Sequence, residues 1–144
     1  FSHQLFGYYS ILNNNPSLIC RLSSGFVYLS QMQFLRGYCI LMAEPEVESI
    51  NSLSEEDRAI FLTDMARVGD AILQVTDAFR INYALMGNSD PVLHAHIVPR
   101  YLWEPEEIRK GLPWDHPDAY SEATRFDVER DFALVEQLRL ILNK

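Results

Sequence analysis

Asn82-Tyr83-Ala84-Leu85-Met86-Gly87-Asn88-Ser89-Asp90-Pro91-Val92-Leu93-His94-Ala95-His96-Ile97-Val98-Pro99-Arg100 reads as two β-strands joined by a polar connection. The flanking runs, 80–86 and 92–100, are rich in strand-forming residues, and Gly87-Asn88-Ser89-Asp90-Pro91 between them is turn chemistry. Alternate side chains of an extended strand point the same way, so Val92, His94, His96 and Val98 share one face and Leu93, Ala95 and Ile97 the other. Two imidazoles therefore stand side by side. By itself such a pair fits half of a metal site, a catalytic pair, or two polar residues on a wet sheet face.

Working outward, the β-prone runs 18–22 and 26–30 flank Ser23-Ser24-Gly25, where glycine supplies the backbone freedom of a tight turn; this predicts a hairpin. The apolar run 37–42 is too short for a helix, stops ahead of Pro45, and is expected to be a strand. Ser54-Glu55-Glu56-Asp57 has the capping-box pattern of a helix start, and Phe61, Met65, Val68, Ile72, Val75 and Phe79 then recur at helical spacing on one face. Near the end, Val128, Phe132, Val135, Leu138 and Leu142 predict a closing helix, with Glu129, Arg130, Asp131, Glu136 and Arg139 toward water. The segment 103–120 holds Pro105, Pro113, Pro117, both tryptophans and His116 without sustained periodicity, as expected of a long ordered loop or connector. No repeat or low-complexity linker divides the chain, so one domain is expected over 1–144: an N-terminal extension at 1–17, a core at 18–100, and a loop with a helix at 101–144.

Composition narrows the partners. Hydrophobic residues make up 48% of the 144, enough for a substantial core. A formal net charge of -8 argues against broad binding to nucleic acid, which needs clustered Lys and Arg, yet leaves room for a small phosphorylated ligand that needs only a few local donors. Cys20 and Cys39 form no zinc pattern and read as buried thiols in a reducing compartment. No apolar run nears the ~20 residues of a bilayer span, and Phe1-Ser2-His3-Gln4 lacks a basic signal region, so the expected location is cytoplasmic, with no membrane partner.

The flanks of the two histidines carry further information. Gly87-Asn88-Ser89, then Val92-Leu93-His94-Ala95-His96-Ile97-Val98 and Pro99-Arg100 resemble the signature of the histidine triad (HIT) family: His-φ-His-φ-His-φ-φ, followed by Pro-Arg and preceded by Gly, an amide residue and Ser or Thr. More loosely the resemblance spans 18–100. It implies an α+β fold with an antiparallel sheet of about five strands, a long central helix and a C-terminal helix. It also implies that His94 is the nucleophile that takes up a nucleotidyl group at the α-phosphorus, and that His96 contacts the phosphate and assists the leaving group. Ser89 and Asn88 would bind the phosphate. Ser30 stands where the family often holds the ribose, and Arg100 is a further candidate ligand contact. Val92 occupies the place of the first triad histidine, though its backbone carbonyl remains to orient the nucleophile, and the region of Glu46 and Glu48 lacks the usual histidine.

The chemistry is sound, since a neutral imidazole is a good nucleophile near neutral pH and an adjacent imidazolium stabilises negative charge and donates a proton. The expected function is a nucleotide-phosphate hydrolase or nucleotidyl transferase acting through a covalent nucleotidyl-histidine at His94, on a phosphoramidate or dinucleoside polyphosphate, with no metal or other cofactor. The alternative is a non-catalytic nucleotide-binding or regulatory protein of the same fold. A third reading, metal binding by His94 and His96, needs another ligand such as His116 or a carboxylate. The resemblance also implies a two-fold homodimer, with the long helix and an edge strand at the interface.

Overall fold

The computed structural model describes residues 15–143; His3, most of the expected N-terminal extension and the missing-signal reading at Phe1 to Gln4 lie outside the described residues. The strands are β1 (Leu18–Leu22), β2 (Gly25–Leu29), β3 (Cys39–Ala43), β4 (Arg80–Ala84) and β5 (His94–Arg100). They form one sheet in the order β1-β2-β3-β5-β4, antiparallel at every pairing. The helices are α1 (Glu55–Val75), the single turn α2 (Glu106–Arg109) and α3 (Val128–Leu142). This is the expected α+β architecture.

Strand alternation splits the apolar residues into two layers. Val27, Leu29, Cys39, Leu41, Ala95 and Ile97 point toward α1 and α3, where they pack on Phe61, Val68, Ile72, Leu134, Val135 and Leu138. Tyr28, Ile40, Met42 and Val98 point the other way and meet Phe34, Tyr38, Tyr101 and Ala119. Because both faces are covered, β3 is buried at all five positions, which is why its sequence is an unbroken apolar run rather than an alternating one. The helices claim the odd-numbered side of β5, so His94 and His96 fall on the opposite face and remain half-buried.

Helix α1 starts where expected: Ser54 Oγ accepts the Asp57 N–H at 3.1 Å, and Glu55, Glu56 and Asp57 sit against the positive end of the helix dipole. It ends earlier than the periodicity implies. Thr76 turns its hydroxyl back onto the Ile72 carbonyl at 2.7 Å, the chain leaves the helix, and Phe79 is 41% exposed rather than part of the core face.

The inward face of α3 also needs correction. Val128 and Phe132 are 46% and 59% exposed, whereas Asp131 and Leu134 are buried. The packed face runs through residues 131, 134, 135, 138 and 142, about 100° around the axis from Phe132. Asp131 tolerates burial because its carboxylate accepts the Asp127 N–H at 2.9 Å and pairs with Arg130 at 2.8 Å. Arg139 donates to the Ile19 and Leu18 carbonyls at 2.7 and 2.8 Å, tying α3 to the edge strand β1.

Gly25 is needed for a different reason from the one its turn position implies. Positive φ occurs only at Gly37 and Gly87 among the described glycines, while a Cβ on Gly25 would lie 1.9 Å from the Met42 carbonyl oxygen. Close approach of β3 excludes any side chain there. The turn itself is held from outside, by buried Asp64 of α1, which accepts from the Ser24 backbone N–H at 3.0 Å and hydroxyl at 2.7 Å.

Cys20 and Cys39 are free and buried, and burial raises both thiols, Cys20 to about 11, so neither is a reactive thiolate. Among the described residues no helix is long and apolar enough to cross a membrane.

Candidate active site

Strand β5 delivers the two histidines to one spot. Their rings lie 4.9 Å apart at 73°, and the strand register sets His94 opposite Met42 and His96 opposite Ile40, giving the imidazoles an apolar floor. They border a cleft of about 210 Å³ whose walls include Ser30, Met32, Ile40, Met42 and Asp90.

The two rings are anchored differently. His94 Nδ1 is 2.7 Å from the Val92 carbonyl oxygen. A carbonyl only accepts, so Nδ1 carries the hydrogen and Nε2 keeps its lone pair. Replacing a histidine by valine at position 92 costs this bond nothing, because the main chain supplies the acceptor.

His96 instead has Nδ1 2.7 Å from Tyr38 Oη, with the Trp114 ring edge-on to it at 5.3 Å. Burial, and secondarily the neighbouring His94, lower the His96 pKa from 6.5 to about 4. This corrects the imidazolium expected from sequence: in the folded chain His96 is neutral at neutral pH. Between pH 6.5 and 4 the unfolded chain binds a proton at His96 that the folded chain does not, so stability falls on acidification through that window and returns as pH rises. His96→Asn is expected to remove about 1–2 kcal/mol of the stability lost between roughly pH 7 and pH 4.5. Urea unfolding of both proteins at the two pH values measures it, and the carboxylates common to both cancel.

The other expected site residues divide. Ser30 is 1% exposed and borders the cleft; its Oγ accepts the Met32 N–H at 3.1 Å. Asn88 and Ser89 are exposed on the loop that Gly87 turns with φ +67, and no hydrogen bond ties their side chains to other described residues. Asp90 borders the cleft beside the histidines.

Arg100 goes elsewhere and is corrected as a ligand contact. It is 2% exposed, pairs with Glu104 at 3.0 Å, and donates to Asn82 Oδ1 and to the Gly111 and Ile108 carbonyls, each at 2.8 Å. Its guanidinium fastens the 101–111 segment to the sheet. His116 packs against Phe34 at 5.5 Å and accepts the Asp118 N–H, so it does not join His94 and His96. Among the described residues no group of three or more His, Cys, Asp or Glu is placed to hold a metal ion.

Three contributors escape a reading of the motif alone. Tyr38 bonds His96, and Trp114 reaches it from the 103–120 segment, which contains α2 and a 3-10 turn at Pro113–Asp115. Gln33 holds the approach to β3: its side chain donates to the Ser30 and Tyr38 carbonyls at 2.9 Å and accepts the Gly37 N–H at 3.0 Å. A signal existed for Tyr38. It has the parity of Ile40 and Met42, and pairing run 37–42 with run 92–100 puts that parity on the histidine face.

No family model matches the chain, and no curated protein matches it by sequence. Among solved structures it is similar to a histidine triad protein from Sinorhizobium meliloti, with a TM-score of 0.69 and 20% identity over 84% of this chain and 85% of that one. A histidine triad protein from Bradyrhizobium japonicum gives a TM-score of 0.63 and 22% identity over 90% and 93%. This chain has the histidine triad fold. A further holder of that fold, the diadenosine triphosphate hydrolase of Plasmodium falciparum, gives a TM-score of 0.56 and 15% identity over 90% and 78%. Within the histidine triad fold, His94 and His96 lie on the outer sheet face, beneath the strap that carries Trp114.

Proposed function

We propose that this chain is a histidine triad enzyme, a nucleotide-phosphate hydrolase or nucleotidyl transferase that works through a covalent nucleotidyl-His94. The observation that carries the reading is the bond from His94 Nδ1 to the Val92 carbonyl, which leaves the Nε2 lone pair as the nucleophile at the border of the cleft. Nε2 attacks the α-phosphorus; the N–P bond forms as the bond to the leaving group breaks, and the leaving group departs with the bonding electron pair and takes its proton from solvent water. Water or another acceptor then attacks the phosphorus, and the P–N bond breaks to restore His94. The apolar floor of Met32, Ile40 and Met42 suits a flat base and sugar. Likeness to a diadenosine triphosphate hydrolase supports a nucleoside polyphosphate or a phosphoramidate as substrate.

Intact-protein mass spectrometry after a rapid quench tests it. Incubation with a diadenosine polyphosphate or an adenosine phosphoramidate is expected to add one adenylyl group, and His94→Gly to abolish the adduct.

Val92, standing where the first histidine of the triad would be, favours a second reading. A non-catalytic nucleotide-binding protein would bind adenosine monophosphate in calorimetry and give no adduct with either substrate.

A further inference from the structure

His96 Nδ1 and Tyr38 Oη are 2.7 Å apart, and either group has a hydrogen to offer. The phenol hydrogen decides between them, because a buried O–H left without an acceptor is costly. Tyr38 is fully buried, and burial keeps its hydroxyl protonated. Among the described residues the hydrogen-bond partner of the phenol oxygen is His96 Nδ1, so the phenol donates its hydrogen there and Nδ1 accepts.

From this arrangement we infer that Tyr38 is a positioning residue which holds His96 as the Nε2–H tautomer, the reverse of the Nδ1–H tautomer of His94. Two identical side chains 4.9 Å apart on one strand are thereby made chemically unlike. His94 presents a lone pair at Nε2, and His96 presents a neutral N–H donor. The catalytic consequence rests on the function proposed above: the lone pair attacks phosphorus while the N–H holds a phosphoryl or leaving-group oxygen. Burial keeps that donor uncharged.

Ring-nitrogen NMR of 15N-histidine-labelled protein at neutral pH, without substrate, reads the tautomers directly. Signals are assigned with His94→Gln and His96→Gln. His96 is expected to show a protonated, pyrrole-type Nε2 and a pyridine-type Nδ1, and His94 the opposite. Tyr38→Phe keeps the ring volume and removes only the oxygen; it is expected to move His96 to a mixture of tautomers, leave His94 unchanged, and lower kcat about tenfold with KM little altered. The wild-type spectrum reads the His96 tautomer without any variant at Tyr38, so the inference stays testable if Tyr38→Phe does not fold.

A pyrrole-type Nδ1 at His96 in the wild-type protein, or His96 signals unchanged in folded Tyr38→Phe, would overturn it. Because these spectra contain no substrate, absence of an adenylyl adduct leaves them unaffected. A wrong tautomer likewise leaves the adduct test standing.

Discussion

His94→Gly is expected to lower turnover of a diadenosine polyphosphate or phosphoramidate about 10,000-fold while the protein unfolds at nearly the same temperature. The size follows from what else is in reach. His96 has its Nδ1 engaged with Tyr38, and the remaining groups bordering the cleft include a hydroxyl, thioethers and a carboxylate, none of which replaces an unprotonated imidazole nitrogen beside the phosphorus. The fold should hardly notice, because His94 is half-buried and its side-chain bond among the described residues is to a neighbouring carbonyl on the same chain segment. Steady-state kinetics with both substrates, alongside a thermal scan, checks both halves. Turnover within tenfold of the wild type would remove His94 as the nucleophile.

Arg100→Met is expected to act in the opposite way, costing about 3–5 kcal/mol of stability. The guanidinium is buried with Glu104, itself 2% exposed, so removing Arg100 leaves a carboxylate out of water without its counter-charge. Asn82 Oδ1 and the Ile108 and Gly111 carbonyls lose their donor at the same time. Against a typical total of about 5–15 kcal/mol, this brings the protein near its unfolding threshold. Arg100→Met/Glu104→Gln should be less destabilised than the single variant, because the unpaired charge is gone and an amide oxygen still accepts the Tyr101 N–H that Glu104 now holds at 2.7 Å. Urea unfolding of the single and double variants gives both numbers. A single-variant loss under about 1 kcal/mol would show that Arg100 is not the fastener described.

The contrast between these two residues marks where a motif stops being informative. Both belong to the same run, Leu93 to Arg100, and the sequence placed both at the ligand. Two-residue alternation carries the side chains of His94, His96 and Arg100 to one face, so the parity was legible. The depth along the strand was not. At the Arg100 end the sheet is covered by the segment containing Glu104 and α2, whereas at the His94 end it faces the cleft.

Local chemistry determined a good deal without help from the rest of the chain. Capping by Ser54, the apolar face of α1 from Phe61 to Val75, the five strands to within about two residues, and the paired imidazoles all follow from periodicity and turn preference, which act over a few neighbours. The bond from His94 to Val92 is equally local, since it spans two residues and uses the main chain.

Tertiary structure alone decided the rest. It made Phe132 an exposed residue and Asp131 a buried one, because the rotation of α3 about its axis is set by what β1 and α1 present to it. It made Gly25 obligatory through the approach of the Met42 carbonyl, seventeen residues on as the sequence numbers run. It also gave His96 its character: Tyr38, 58 residues away, and Trp114 on the strap meet it only when the sheet is assembled and covered, and the burial that lowers its basicity comes from that same assembly. Residue type and spacing fix which groups share a face, but proton positions and pKa values depend on long-range neighbours that no local pattern specifies.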